Sequence, residues 1–242
     1  MAHSYVICGT PRSGSTLLCG LLADAGAGAP DSFFRRQSVG DWAEEWGLTP
    51  GAAGFERDYV DAAIREGKGG TEVFGLRLMR ENLEEMLELL DRLYPGHPTG
   101  RGRIEAAFGP TLFLHLSRRD RVAQAISRVK AEQTGLWHIA PDGREVERLA
   151  PPAEPRYDFA RIRAEVEKLE RFGAAWEEWF AAEGIAPLRL VYEDFSADPG
   201  AAVARICAAL GLPAPGELRP GVARLSDAVS AEWARRYRAE AG

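Results

Sequence analysis

The sequence predicts an α/β protein: a parallel sheet with helices on both faces, in three layers. Two observations carry this. Short apolar runs alternate with segments of helical periodicity along all 242 residues. Each run is apolar nearly throughout, without inside–outside alternation, as strands covered on both faces require. Residues 4–9 (SYVICG) form the first strand. A helix pattern starts near Ser15, with Leu17, Leu18, Leu21, Leu22 and Ala25 on one face and Gly26 as its stop. Residues 72–79 (EVFGLRLM) read as the second strand, and Leu83, Met86, Leu87, Leu90 and Leu93 place a helix after it, ending at Pro95-Gly96. The third strand, TLFLHLS at 111–117, runs into a helix from about Asp120 to Gln133.

Residues 135–157, with APPAEP at 150–155, read as a long surface loop, because a helical pattern resumes at 158 and continues to 183. PLRLVY at 187–192 is the fourth strand, followed by a helix near 199–210 that closes at Gly211. The tail at 226–240 has a Ser/Asp start and reads as a helix. No internal repeat is visible, and the length suits one sizeable core, so residues 1–242 are expected to form a single domain. Segments 31–60 and 135–157 are the irregular insertions where specificity is expected.

A net charge of −6 argues against a nucleic-acid partner, which would call for a basic face, but leaves room for a small anionic ligand held by local Arg clusters. The three cysteines (Cys8, Cys19, Cys207) have no metal-ligand spacing and read as small packing residues in a reducing compartment. The four histidines form no metal pattern, so no metal is expected. No apolar run approaches the roughly 20 residues of a membrane helix, and no secretory signal is visible. The expected location is the cytoplasm.

The first strand leads into VICGTPRSGSTL at 6–17. Gly9, Gly14 and Thr16 keep the spacing G-x-x-x-x-G-K-[ST] of a nucleotide-phosphate loop, but Ser15 stands where the lysine belongs. A Gly-rich turn opening a helix is either a capped turn or an anion site. Here the hydroxyls of Ser13, Ser15 and Thr16 and the cation of Arg12 favour the anion site. The lysine of NTPases reaches the β/γ-phosphates, so its absence points away from ATP or GTP hydrolysis. Arg12 offers a permanent cation whose fork suits a non-metallic oxyanion.

PRSGSTLL after the first strand resembles the 5′-phosphosulfate loop of sulfotransferases that use 3′-phosphoadenosine 5′-phosphosulfate, and most resembles the bacterial group typified by trehalose 2-sulfotransferase. VFGLRLM, HLSRRDRVAQAISRVKAEQTGLWH, GIAPLRLVYEDF and LSDAVSAEWARRYR are similar to that group's segments in the same order, so the resemblance spans essentially the whole chain. It implies a P-loop-like sulfotransferase fold and transfer of a sulfuryl group to a hydroxyl of a carbohydrate or glycolipid acceptor. Homodimers are plausible by the same resemblance. The expected donor-binding residues are Arg12, Ser13, Gly14, Ser15, Thr16 and Leu17 around the 5′-phosphate, with Arg12 on the leaving-group oxygen. Arg118 or Arg119 at the end of the third strand, together with Ser127, would hold the 3′-phosphate. The wider family's spacing favours Arg119 and the bacterial group's R-x-D-x-x-x-Q-A-x-S pattern favours Arg118. The resemblance also puts Arg224 in range of the same phosphate.

The group's general base is a Glu in a G-x-P-x-E-F-F stretch. The matching residues here are GAPDSFF at 28–34, with Ser32 at the Glu position, so the carboxylate one residue earlier, Asp31, becomes the candidate base. His115 is the runner-up, although its mid-strand place suits a packed core histidine. Trp42 and Trp46 share a helical face, which suits core packing better than sugar stacking; Arg35, Arg36 and Arg77 would meet an anionic acceptor or water. Two other classes compete. A small-molecule kinase would need Glu193 or Asp194 for Mg²⁺, and a non-catalytic nucleotide-binding module would need no base at all.

Overall fold

The computed structural model describes residues 2–223, 225 and 227–242. Along the chain, β1 (Ser4–Gly9) leads into α1 (Ser15–Asp24), followed by α2 (Val39–Glu45), α3 (Phe55–Lys68) and β2 (Phe74–Met79). Next come α4 (Leu83–Leu93), α5 (Gly100–Phe108), β3 (Thr111–Ser117) and α6 (Arg121–Thr134). A hairpin of β4 (Leu136–Ile139) and β5 (Glu145–Arg148) precedes α7 (Phe159–Ala182), β6 (Leu188–Val191), α8 (Tyr192–Ala197), α9 (Pro199–Leu210) and α10 (Ala228–Glu240).

The expected parallel α/β sheet is present, in the order β2–β1–β3–β6. Ser4–Gly9 pairs with Phe74–Met79 on one side and with Thr111–Leu116 on the other, and Leu188–Val191 extends the sheet beyond β3. Successive side chains of β1 point to opposite faces. Val6 and Cys8 join Phe74, Leu76, Met86, Leu90, Trp176 and Phe180 in one cluster. Tyr5 and Ile7 join Leu18, Leu22, Leu114, Val203 and Ile206 in the other. A third cluster fastens α6 to α7 and α10 through Ile126, Val129, Ile162, Leu169 and Trp233. The three cysteines are buried and unpaired.

Parallel strands place their carboxyl ends along one edge. With the order β2–β1–β3, successive connections leave β1 in opposite directions, and a crevice opens between β1 and β3. Ligands of open α/β sheets bind at such a switch point.

The structure departs from the sequence reading in several places. The second strand starts at Phe74 rather than residue 72, and the fourth ends at Val191 because Tyr192 already opens α8, whose first turn holds Glu193 and Asp194. The segment 31–60 is not irregular throughout: it holds α2 and the start of α3. The hairpin lies inside the 135–157 loop, and the tail helix starts at Ala228 with Asp227 accepting from the Ser230 N–H. α5 was not anticipated, since GRGRIEAAF holds two glycines. Capping completes it: Thr99, just before the helix, accepts from the Gly102 N–H, and the distant Glu183 carboxylate accepts from Gly100 and Arg101 N–H at 2.9 and 2.8 Å. Trp42 and Trp46 stack at 5.2 Å and pack on Phe33, so they serve the core. Arg224 lies outside the described residues.

Candidate active site

The crevice beyond β1 and β3 is a cleft of about 1120 Å³. Among the described residues its lining carries eight Lys or Arg against five Asp or Glu, an excess of cations on a chain of net charge −6. Such a concavity concentrates anions whatever the total charge.

The loop after β1 reaches the cleft by two left-handed backbone positions, Arg12 at φ 63° and Gly14 at φ 89°. Gly14 is required twice over: side chains disfavour that φ, and a Cβ there would stand 2.4 Å from Tyr192 Cδ2. As the residue preceding α1 it offers no side chain to cap the helix, and no acidic residue occupies the first turn. The N–H groups of Ser15, Thr16 and Leu17 thus keep the helix's positive end open toward the cleft that these residues line. Ser13 differs from expectation in direction. Its hydroxyl is buried with no hydrogen-bond partner among the described residues, close beneath Gly9, and it is not part of the cleft lining.

Arg12 joins the two segments expected to hold phosphate, which the sequence keeps 115 residues apart. Its Nε donates to Ser127 Oγ at 3.0 Å, and Nη1 donates to the Trp137 carbonyl at 2.8 Å. Burial and then the neighbouring Arg118 lower its pKa to about 10, which leaves it charged at neutral pH. Arg118 donates to the Arg12 carbonyl at 3.1 Å, lies 4.7 Å over the Tyr192 ring and lines the cleft. Arg119 points elsewhere: its guanidinium pairs with Asp194, its side chain is 59% exposed, and it is not part of the lining.

Asp31 sits on an extended segment that adds one bridge to β2 at Leu76. There the alternation of side chains decides the outcome. Ser32 is buried and lines the cleft, whereas the Asp31 carboxylate is half-exposed and does not line it. Asp31 Oδ1 accepts from Arg77 Nη2 at 2.7 Å and from the Ser32 N–H at 2.6 Å. Arg77 also donates through Nε to Ser32 Oγ at 2.7 Å and through Nη1 to Thr16 Oγ1 at 3.0 Å. His115 packs edge-on against Phe180 within the sheet, with Nδ1 at 3.1 Å from Arg189 and Glu177, and stays out of the cleft.

Sequence reasoning missed His138. This β4 residue lines the cleft, with Nε2 at 3.1 Å from Thr16 Oγ1 and 3.5 Å from Glu147 Oε2. Burial, then Arg12, then Arg77 push its pKa down to about 4. Its partner lies 122 residues earlier, so no local spacing announces it. Among the described residues no group of three or more His, Cys, Asp or Glu could hold a metal ion, and no helix is long and apolar enough to cross a membrane.

A family model described as Stf0 sulphotransferase matches residues 4–240. Trehalose 2-sulfotransferase of Mycobacterium tuberculosis (strain ATCC 35801 / TMC 107 / Erdman) is 30% identical over 262 residues, covering 98% of this chain and 95% of that protein. The trehalose 2-sulfotransferase of Mycolicibacterium smegmatis (strain ATCC 700084 / mc(2)155) is 27% identical over 271 residues, with the same coverage of 98% and 95%. Among solved structures, a sulfotransferase from Alicyclobacillus acidocaldarius superposes with a TM-score of 0.50 at 18% identity, covering 99% of this chain and 92% of that one, which supports the fold. With a family match over nearly its whole length and two full-length relatives, the chain belongs to the Stf0 sulphotransferase family.

Proposed function

We propose that this sulfotransferase moves a sulfuryl group from 3′-phosphoadenosine 5′-phosphosulfate to a hydroxyl of a carbohydrate or glycolipid acceptor. One observation carries the reading: Arg12, Arg118 and Ser127 converge beside the uncapped start of α1, at the β1/β3 switch point. That juxtaposition suits a donor with one phosphate on the loop and a second beside α6.

Sulfuryl transfer, like phosphoryl transfer, asks for an in-line approach and for preorganised donors where negative charge grows. In the proposal, the N–H groups of Ser13, Gly14, Ser15, Thr16 and Leu17 and the hydroxyls of Ser15 and Thr16 hold the 5′-phosphate. Arg12 stabilises the leaving-group oxygen, and Arg118 with Ser127 takes the 3′-phosphate. Arg119 is left out because Asp194 engages it. Asp31 enters through Arg77, which it holds against Thr16 and Ser32. The sugar acceptor is carried over from the relatives named for trehalose. Ser32 at the family's Glu position leaves the choice of sugar open.

The kinase reading meets a geometric obstacle. Glu193 accepts from the Arg119 and Asp120 N–H groups at 3.0 and 3.2 Å, and Asp194 pairs with Arg119, so the carboxylates a magnesium ion would need are already engaged. A thermal-shift comparison tests the donor. Adenosine 3′,5′-bisphosphate without metal should raise the Tm, and Mg-ATP or Mg-GTP should not; a response to the Mg-nucleotides alone would overturn the reading. Labelled donor with a panel of sugars, trehalose included, then separates an enzyme from a binding module by the appearance of sulfated sugar.

A further inference from the structure

We propose that His138 takes the acceptor's proton, at Nε2, in the sulfuryl transfer described above, on which this assignment rests. The group's carboxylate is absent at Ser32, and the adjacent Asp31 commits Oδ1 to Arg77 and the Ser32 N–H and is not part of the cleft lining. His138 instead reaches the first turn of α1, where Nε2 meets Thr16 Oγ1 at 3.1 Å. Arg77 donates to that same oxygen at 3.0 Å, and in the tautomer with the ring proton on Nδ1, which the proposal requires, the Thr16 hydroxyl hydrogen points at the Nε2 lone pair. An anion on the loop draws this hydrogen to itself and uncovers the lone pair beside the reacting group. Glu147, with Oε2 at 3.5 Å from Nε2, stands ready to stabilise the imidazolium that forms.

The charges around His138 give the device its timing. Arg12 from the loop and Arg77 from β2 disfavour the imidazolium, Glu147 from β5 favours it, and burial keeps the ring neutral with a pKa of about 4. A base so depressed is weak. Both arginines line the cleft, so a phosphosulfate bound there offsets their part of the depression, although the larger part, from burial, remains. The residue therefore becomes a stronger base when the donor is in place than in the free protein. In the step itself, the acceptor oxygen forms a bond to sulfur and its proton passes to Nε2. The bond from sulfur to the 5′-phosphate oxygen breaks, with its electron pair staying on the phosphate. The imidazolium returns its proton to water after the products leave.

Two measurements test this on the full chain. NMR titration of the His138 ring in the wild-type protein should give a pKa well below the usual 6.5, rising by about one unit or more with adenosine 3′,5′-bisphosphate bound. His138→Gln should keep bisphosphate affinity within about twofold, lose kcat by roughly 10²–10⁴-fold, and lose the acid limb of the kcat–pH profile, while Asp31→Asn keeps that limb. A bisphosphate that leaves the His138 pKa unmoved overturns the assignment. So does a His138→Gln enzyme with wild-type kcat and pH profile, or an acid limb that vanishes in Asp31→Asn. The underlying reading fails separately, if the wild-type protein neither binds the bisphosphate nor sulfates any sugar in the panel.

Discussion

The two walls of the cleft are built on opposite principles. One wall grows out of the sheet: β1 is wholly buried, its loop runs into α1, and Arg118 follows β3 directly. Its geometry is set by parallel pairing that holds register from Ser4 to Gly9 on both sides. The other wall is the β4–β5 hairpin, two four-residue antiparallel strands outside that sheet, partly exposed and with register shifts at His138. The hairpin owes its place to bonds with the first wall, Arg12 to the Trp137 carbonyl and Thr16 to His138, together with Ala223 N–H to the Ile139 carbonyl. The rigid wall suits the part of the reaction that every donor molecule shares. The hairpin wall, held by a few polar contacts, suits the part that differs between acceptors.

The hardest blow to this division is Arg12→Ala, because Arg12 belongs to both walls. Loss of one preorganised donor at the developing charge should lower kcat by roughly 10²–10³-fold. Bisphosphate should still bind through the α1 N–H groups, Arg118 and Ser127. Hydrogen exchange should rise in the hairpin and stay unchanged in β1. Equal turnover by wild type and Arg12→Ala would remove Arg12 from the chemistry, and an undisturbed hairpin would remove it from the joint.

Gly14→Ala acts on the rigid wall alone. The new Cβ meets Tyr192 Cδ2 at 2.4 Å and a φ of 89°, so the protein should lose about 1–3 kcal/mol of stability and most of its bisphosphate affinity. Chemical denaturation and calorimetric titration read the two effects. A Gly14→Ala protein as stable as wild type would mean that this loop yields as readily as the hairpin.

The pH dependence of stability probes the other wall. The His138 pKa falls from about 6.5 in the unfolded chain to about 4 in the fold. Between those values the unfolded chain binds the extra proton. The contribution is therefore fully present above about pH 6.5, shrinks as pH falls, and is gone near pH 4. At 1.36 kcal/mol per unit this is about 2–3 kcal/mol, and burial of His115 acts in the same direction. His138→Gln should flatten part of the fall in Tm between pH 7 and 4.5. An identical slope in both proteins would show that His138 is not the group being held neutral.

The same contrast explains what the sequence made legible. The sheet wall was readable because its signals are local: apolar runs, a Gly pair at fixed spacing, Arg118 a few residues from Ser127. The hairpin was not, because two strands of four half-exposed or exposed residues are too short to show a period, and LWHI makes sense only against Thr16 and Arg12. Asp31 and Ser32 show the limit in miniature. The alternation rule says that the two side chains diverge, but only the bridge to Leu76 decides which one enters the cleft. α5 likewise depends on Glu183, whose capping carboxylate arrives from the far end of α7.

The smallest expected effect separates two adjacent arginines at the end of β3. Arg118 contacts the Arg12 carbonyl and lines the cleft, so Arg118→Ala removes a cation from the proposed 3′-phosphate site and should weaken bisphosphate binding about tenfold or more. Arg119 is largely exposed and pairs with Asp194 outside the cleft. An exposed ion pair contributes little to stability, and a side chain turned away from the ligand contributes nothing to its affinity. Arg119→Ala should therefore leave both the Tm and the bisphosphate affinity at wild-type values. If its affinity loss equalled that of Arg118→Ala, the 3′-phosphate would have to draw Arg119 off Asp194 on binding. The sheet wall would then be as adaptable as the hairpin, and the division between the two would fail at the position where the strand should hold it most firmly.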